Sequence, residues 1–387
     1  MVNNLSPSPI LFVDHAQHLG GAEHSLLLLM QHLDPVRWQP HLACPEGALA
    51  DGARQLGIPY HSLSLPRLKR SLKIGTDWLH GARALDTVAR EVEARMLIAN
   101  TVRATFYTAF AAKLSKRPFL WHMRDFWLSE TIPHYPQIDL LLKKIMCKSA
   151  NQVIANSFAT ANYLPCKNVT VIHNGIDLHR FSTNSSGSLF REKYNIPQEV
   201  PLIGIVGRLR PWKGQHRFIE MAASLLQTHP TAHFVIVGGS VFGDSDNGYA
   251  NFLRDEVKNR NLTKNVRFTG QIEDVRDALN ALDIFVHSGD PEPFGLVNIE
   301  AMASGKPVVA FAHGALPEIV QHNHTGLLVD PTDIPGLASG VINLIEATTL
   351  AKKMGMAGRE RVQTLFTIEQ TAVKFSSLLQ AVVGASS

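Results

Sequence analysis

The chain has 387 residues, 45% of them hydrophobic and 18% charged, with a formal net charge of +4, enough apolar content to bury two cores of ordinary size. No apolar run approaches the roughly 18 residues of a membrane span, and Met1 to Pro9 lacks the basic region and apolar core of a signal peptide. Cys44, Cys147 and Cys166 have neither metal-type nor redox-type spacing, so a reducing, cytoplasmic compartment is expected.

Strand-like segments are predicted at 10–15, 41–45, 96–101, 119–125, 152–157 and 169–172, then at 202–207, 233–239, 266–270, 284–288, 307–311 and 327–330. Helical patterns lie between most of them, including 22–33, 77–93, 215–228 and 250–259. This alternation predicts parallel sheets covered by helices on both faces. A domain boundary is expected at His173-Asn174-Gly175-Ile176-Asp177, before the polar stretch at 182–188. Residues 1–175 carry 18 Lys+Arg against 12 Asp+Glu, and residues 176–387 carry 19 against 21, so the first half is basic. A basic half suits an anionic partner or surface; it is also what a solvated surface looks like.

Ligands of open α/β sheets bind beyond the carboxyl ends of the strands, so the residues there carry most weight. After the first strand, Gly20-Gly21-Ala22-Glu23 opens a helix whose N–H groups could meet an anion, although a plain tight turn needs the same glycines. Basic and apolar residues interleave at 66–74, which suits an anionic membrane surface or an ordinary exposed loop. His122, near the end of the 119–125 strand, is either a cleft histidine or one satisfied in the core, and Asp125 could orient it or contact an acceptor. Glu130 has no assigned role, and 140–148 reads as a core helix with a solvated lysine face. Beyond the 202–207 strand, Arg208-Leu209-Arg210-Pro211-Trp212-Lys213-Gly214 puts three cations in six residues, suited to a diphosphate. Asp244-Ser245-Asp246 reads as a solvated loop and His322-Asn323-His324 as a turn. No Gly-x-Gly-x-x-Gly follows a predicted strand and no phosphate-loop Gly-Lys-Ser/Thr occurs, which argues against an NAD enzyme or a nucleoside triphosphatase.

Most informative is Glu292-Pro293-Phe294-Gly295-Leu296-Val297-Asn298-Ile299-Glu300. It sets two acids on either side of a loop-to-helix junction, and the helix, expected over 294–304, is apolar nearly all round. A buried carboxylate on it needs a partner. That partner is either an internal cation, with Glu292 then an ordinary loop acid, or the vicinal hydroxyls of a ribose, since an ionised carboxylate only accepts hydrogen bonds.

This stretch, continued through Glu300-Ala301-Met302-Ala303-Ser304-Gly305-Lys306-Pro307, Pro317-Glu318-Ile319-Val320 and Gly326-Leu327-Leu328-Val329, resembles the signature of glycosyltransferase family 4, the retaining group 1 nucleotide-sugar transferases of the GT-B fold. The resemblance implies two doubly wound Rossmann-like α/β domains facing across a cleft. These are an acceptor-side domain at 1–175, a nucleotide-sugar domain at 176–366, and a last helix at 367–387 packing back on the first. It further implies transfer of a hexosyl group from a nucleotide diphosphate sugar, UDP- or GDP-linked, to an acceptor hydroxyl in glycan, glycolipid or cell-envelope synthesis, without cofactor, metal or nucleic acid.

By the same resemblance Glu300 would hold the ribose and Glu292 a sugar hydroxyl. Phe294, Gly295 and Leu296 would offer backbone N–H groups to sugar and phosphate, and Arg208 and Lys213 would meet the diphosphate. Gly20 and Gly21 would approach the sugar diphosphate, and His122 would contact the sugar or position the acceptor. A 2-epimerase of the same fold and a non-catalytic sugar-nucleotide binder are the alternatives. The acceptor, a glycan, a lipid-linked glycan or a small molecule, is not legible, and peripheral contact of the basic half with the inner face of a membrane is an open expectation.

Overall fold

A computed structural model describes residues 6–66, 74–126, 136–181, 187–240 and 248–386. The chain divides into two units, Met1–Ile176 with Thr367–Ser387, and Asp177–Phe366. Arg67, Lys69, Arg70 and Lys73 of the basic segment lie outside the described residues, as do Glu130, most of the polar stretch after the first unit, and Asp244-Ser245-Asp246.

In the first unit seven strands form one parallel sheet: β1 (Ser8–Val13), β2 (Trp38–Cys44), β3 (Tyr60–Ser62), β4 (Leu97–Ala99), β5 (Phe119–Met123), β6 (Gln152–Ala155) and β7 (Val169–Val171). Their order across the sheet is β3-β2-β1-β4-β5-β6-β7. Helices cover both faces, so a strand such as β1 reads as a continuous apolar run whose residues feed two cores in turn. Ile10 and Phe12 pack with Leu26, Met30 and Phe375, while Leu11 and Val13 pack with Leu85, Tyr107 and Trp121. Phe375 belongs to the terminal helix Ile368–Ser386, which returns to this unit after all of the second. Its ring lies 6.1 Å from that of Phe12 and 5.3 Å from that of His122, and Thr371 Oγ1 on the same helix donates to the His173 carbonyl at 3.0 Å.

Two features of this unit depart from the sequence reading. Cys147 and Cys166 form a disulfide, with only Cys44 left as a buried thiol, so the cysteines give no argument for a reducing compartment. The helix Pro136–Ser149 is not a core helix: Ile138, Leu140, Leu141 and Ile145 are exposed together with Lys144 and Lys148. Their apolar side chains fall on the outer side because Leu142 and Met146, with Cys147, already fill the inner one.

The second unit holds six parallel strands: β8 (Leu202–Val206), β9 (His233–Val237), β10 (Val266–Gly270), β11 (Ile284–His287), β12 (Val308–Phe311) and β13 (Gly326–Val329). They lie in the order β10-β9-β8-β11-β12-β13. Ile203 and Ile205 of β8, Phe234 and Ile236 of β9, and Ile284 and Val286 of β11 face one core with Phe218, Leu337 and Val341. Arg191, 6% exposed, ties this unit's first turn to the sheet by donating to the carbonyls of Ala281, Pro197 and Val200 and to Asp283 Oδ2.

Strand order reverses direction between β1 and β4 in one sheet and between β8 and β11 in the other. A crevice opens at such a switch point, beyond the carboxyl ends of the strands. Each crevice is lined by the loops that carry the candidate residues.

Candidate active site

In the second unit the switch point joins the loop after β8, residues 207–214, to the loop after β11, residues 288–295. Gly214 adopts φ +75°, and a Cβ there would stand 2.0 Å from the Ser288 carbonyl oxygen, so only glycine lets the two loops touch. Four hydrogen bonds fasten this junction. Ser288 Oγ donates to Gly214 O at 2.9 Å, the Asp290 N–H to Trp212 O at 2.7 Å, and Arg217 bridges Ser288 O at 3.1 Å and Asp290 Oδ1 at 2.8 Å.

Lys213 and Glu292 form an ion pair inside this junction, and His287 Nε2 stands 3.5 Å from the same Glu292 oxygen. Burial pushes the Glu292 carboxyl upward, but the Lys213 ammonium and His287 outweigh it and hold the group well below the usual carboxylate range. Arg208, at the end of β8, is exposed, and its guanidinium meets no acceptor among the described residues. Arg210 lies over the Trp212 ring, 5.6 Å from its centroid.

The loop turns at Gly295, φ +87°, into the helix Leu296–Ala303. A Cβ on Gly295 would lie 2.6 Å from Asn298 Nδ2, which donates to the Gly295 carbonyl at 3.0 Å. The N–H groups of Gly295 and Leu296 reach no acceptor among the described residues. Phe294 is buried, 6.0 Å from the Phe366 ring. Glu300 is half-buried, and among the described residues its carboxylate accepts no hydrogen bond and forms no ion pair. Desolvation raises its pKa to about 7, with Arg180 opposing and Asp274 adding to the rise. The two acids therefore exchange the roles that the bland reading gave them: Glu292 carries the internal cation and Glu300 does not.

In the first unit Gly20 precedes the helix Gly21–His32, and its N–H donates to Glu23 Oε2 at 2.9 Å. A carboxylate of the chain thus already stands at the helix end where an anion was expected. His122 lies within β5, one residue before its end. Its ring is 2% exposed against Phe375, neither nitrogen has a hydrogen-bond partner among the described residues, and burial with Arg124 nearby lowers its pKa well below the ordinary histidine value. The expected contact with a ligand is thus not available to His122 in this structure, because the strand's alternation turns it toward the terminal helix. Asp125 is exposed and accepts the Phe126 N–H at 2.6 Å.

What stands at the strand ends is a buried network that the sequence reading missed. Arg124 Nε donates to Asn100 Oδ1 at 2.6 Å, and its Nη1 donates to Ser25 Oγ and to Asn174 Oδ1, each at 2.7 Å. Asn100 Nδ2 donates to Asp14 Oδ2 at 2.7 Å. Burial pushes Asp14 up to about 7, with Glu23 adding to the effect, and lowers Arg124 to about 10. The only sequence signal was a polar residue directly after each of three strands: Asp14, Asn100 and Arg124. The Arg217 contacts were also missed, because their partners lie 71 and 73 residues away, and so was His287, because only the turn of the loop after β11 brings Glu292 back to its ring. Among the described residues no three His, Cys, Asp or Glu side chains lie together as metal ligands would, and no single helix is long and apolar enough to cross a membrane.

Comparison with known proteins agrees with this arrangement. The family model described as glycosyl transferases group 1 matches residues 188–361, and that of glycosyltransferase family 4 matches residues 19–180. YtcC of Bacillus subtilis is 33% identical over 224 residues, 55% of this chain and 54% of that protein. The lipopolysaccharide core biosynthesis mannosyltransferase LpsB of Rhizobium meliloti is 27% identical over 62% of this chain and 68% of its own length. The chain thus spans about half to two thirds of these curated relatives. The crystal structure of HepE from Anabaena in complex with UDP superposes with a TM-score of 0.83 at 27% identity, over 96% of this chain and all of that one. With one family model on each unit and a GT-B structure matched along nearly its whole length, the chain belongs to the group 1, family 4 glycosyltransferases.

Proposed function

We propose that the protein transfers a hexosyl group from a nucleotide diphosphate sugar to an acceptor hydroxyl, with retention at the anomeric carbon and without a metal ion. One observation carries the reading: Glu300 presents a half-buried carboxylate with no donor among the described residues, on the same loop-and-helix segment as Glu292, whose partner is Lys213. A ribose with two adjacent hydroxyls supplies the donors that such a carboxylate lacks.

In this reading Arg208 and Lys213 neutralise the diphosphate with charge-assisted bonds, and the N–H groups of Phe294, Gly295 and Leu296 meet sugar and phosphate oxygens. Glu292 accepts a hydroxyl of the sugar. The bond from the anomeric carbon to the diphosphate oxygen breaks as the acceptor oxygen bonds on the same face, and the acceptor proton passes to the leaving diphosphate. Gly20 and Gly21 let the first unit's backbone approach the sugar diphosphate. Contact of His122 with the sugar requires the terminal helix at Phe375 to shift and expose the ring.

A UDP- or GDP-sugar is the donor class. HepE was crystallised with UDP-glucose, and a Corynebacterium glutamicum relative 31% identical over 54% of this chain is named as GDP-mannose-dependent, which supports both options. An acceptor in cell-envelope glycan or glycolipid synthesis, and a cytoplasmic protein resting on an anionic membrane, belong to the same reading. The exposed Ile138, Leu141 and Ile145 beside Lys144 and Lys148 support the membrane contact.

The test is a donor screen. UDP-, GDP- and ADP-sugars are incubated with the protein in EDTA, and release of nucleoside diphosphate is followed by mass spectrometry beside Glu300→Gln. Release from one donor by the native protein and not by the variant is the expected result. Release that needs added metal, or equal release by both proteins, would sink the reading.

A further inference from the structure

Glu292 already has a cation. Lys213, which the proposed function assigns to the donor's diphosphate, is ion-paired with Glu292. When the ammonium turns to a diphosphate carrying two negative charges, a carboxylate with 14% side-chain exposure loses its counter-charge, and leaving it bare costs several kcal/mol. The structure holds a second group at that carboxylate. His287, the last residue of β11, has a side chain 5% exposed, its Nε2 is 3.5 Å from Glu292 Oε1, and neither ring nitrogen makes a hydrogen bond to any described residue.

The backbone makes room for this approach. Gly289 has no Cβ, which would stand 3.2 Å from His287 Cε1, and Gly314, φ +55°, passes where a Cβ would lie 2.7 Å from Glu292 N. Alternation along β11 places Ile284 and Val286 in the core and leaves His287 on the opposite face from them.

We propose that His287 is a positioning residue for the donor sugar. As Lys213 transfers to the diphosphate, the His287 Nε2–H closes on Glu292 Oε1 and holds the carboxylate so that its other oxygen accepts a sugar hydroxyl. This deepens the proposed function and rests on it for the donor, while the exchange itself is testable without one.

Two measurements decide. In a crystal structure of Lys213→Ala, with no ligand, the His287 Nε2 to Glu292 Oε1 distance is expected to fall from 3.5 Å to about 2.8 Å. A carboxylate that rotates away to solvent overturns the inference whatever the protein's activity. Calorimetry then compares UDP and GDP with UDP-glucose and GDP-mannose. His287→Ala is expected to leave nucleoside diphosphate affinity within about twofold and to weaken the matching nucleotide sugar on the order of tenfold, with partial recovery in His287→Gln, whose amide still donates. Equal loss for both ligands in His287→Ala, or no loss for either, overturns it. Failure of the native protein to bind any of the four ligands, with the distance closing as expected in Lys213→Ala, sinks the donor reading and leaves the His287–Glu292 exchange standing.

Discussion

Lys213 and Glu292 face each other as an ion pair across 79 residues of sequence, one from the loop after β8 and the other from the loop after β11. The pair is a structural clasp between two loops and, in the proposed function, a charge that the donor's diphosphate displaces. Removal of one partner leaves the other buried and uncompensated.

Lys213→Ala or Glu292→Ala should therefore each destabilise the second unit by about 2–4 kcal/mol, and the double variant by clearly less than the sum. Urea unfolding of the three variants measures the coupling. Additive losses would mean that the pair contributes nothing as a pair.

Glu300 has its pKa raised to about 7 by desolvation, and the proposed ribose contact needs the ionised form. Nucleotide-sugar affinity should therefore rise with pH and be roughly tenfold weaker at pH 6 than at pH 8, with a proton released on binding near pH 7. Calorimetry in buffers of different ionisation enthalpy reads the proton directly. Glu300→Gln should abolish both the slope and the proton release; affinity of the native protein that is flat across this range would refute the assignment.

Asp14 also has a raised pKa, about 7 against an unfolded value of 3.8. A carboxyl that binds its proton more tightly when folded contributes stability that is present below about pH 4 and lost as pH rises through about 7. In the first unit the native protein should therefore be less stable at pH 8 than at pH 5, by on the order of a few kcal/mol, and Asp14→Asn should flatten that slope. Thermal unfolding at the two pH values, native against variant, checks the sign.

Gly314→Ala forces a side chain into φ +55° and onto the Glu292 backbone, 2.6 Å from its carbonyl oxygen. The loss should be about 1–3 kcal/mol of stability. Because the displaced loop carries Glu292, donor turnover should fall by more than the unfolded fraction explains. Activity that tracks the folded population alone would show that the loop absorbs the strain.

The strands were legible because buried parallel strands are short apolar runs, and β12 at Val308–Phe311, buried throughout, falls within one residue of its predicted span. The three-residue edge strand β3, Tyr60–Ser62, was not, since it is only partly buried and shows no run. The helix expected from Phe294 begins two residues later, at Leu296, because Gly295 in a left-handed conformation makes the turn into it. Spacing placed Glu292 and Glu300 on one segment, but which of them is paired depends on Lys213, brought in from another strand end. Arg124 was illegible for the same reason: its partner Asn174 is brought near only by the fold. His287 was illegible because its approach to Glu292 depends on the path of the loop after β11, which spacing does not give. His122 lies in the strand that was expected, but the strand ends at Met123 and alternation turns its ring to the terminal helix, which the run 119–125 could not show.

The first unit is built from two separated stretches of chain, with Phe375 and Leu379 of the last helix in the same core as Phe12 and Leu120. During synthesis the ribosome emits all of Asp177–Phe366 before those residues appear. The second unit, contiguous in sequence, can complete itself while the nascent first unit still exposes the groove that the terminal helix will fill. That groove, walled by Phe12 and His122, is where a chaperone would meet the newborn chain.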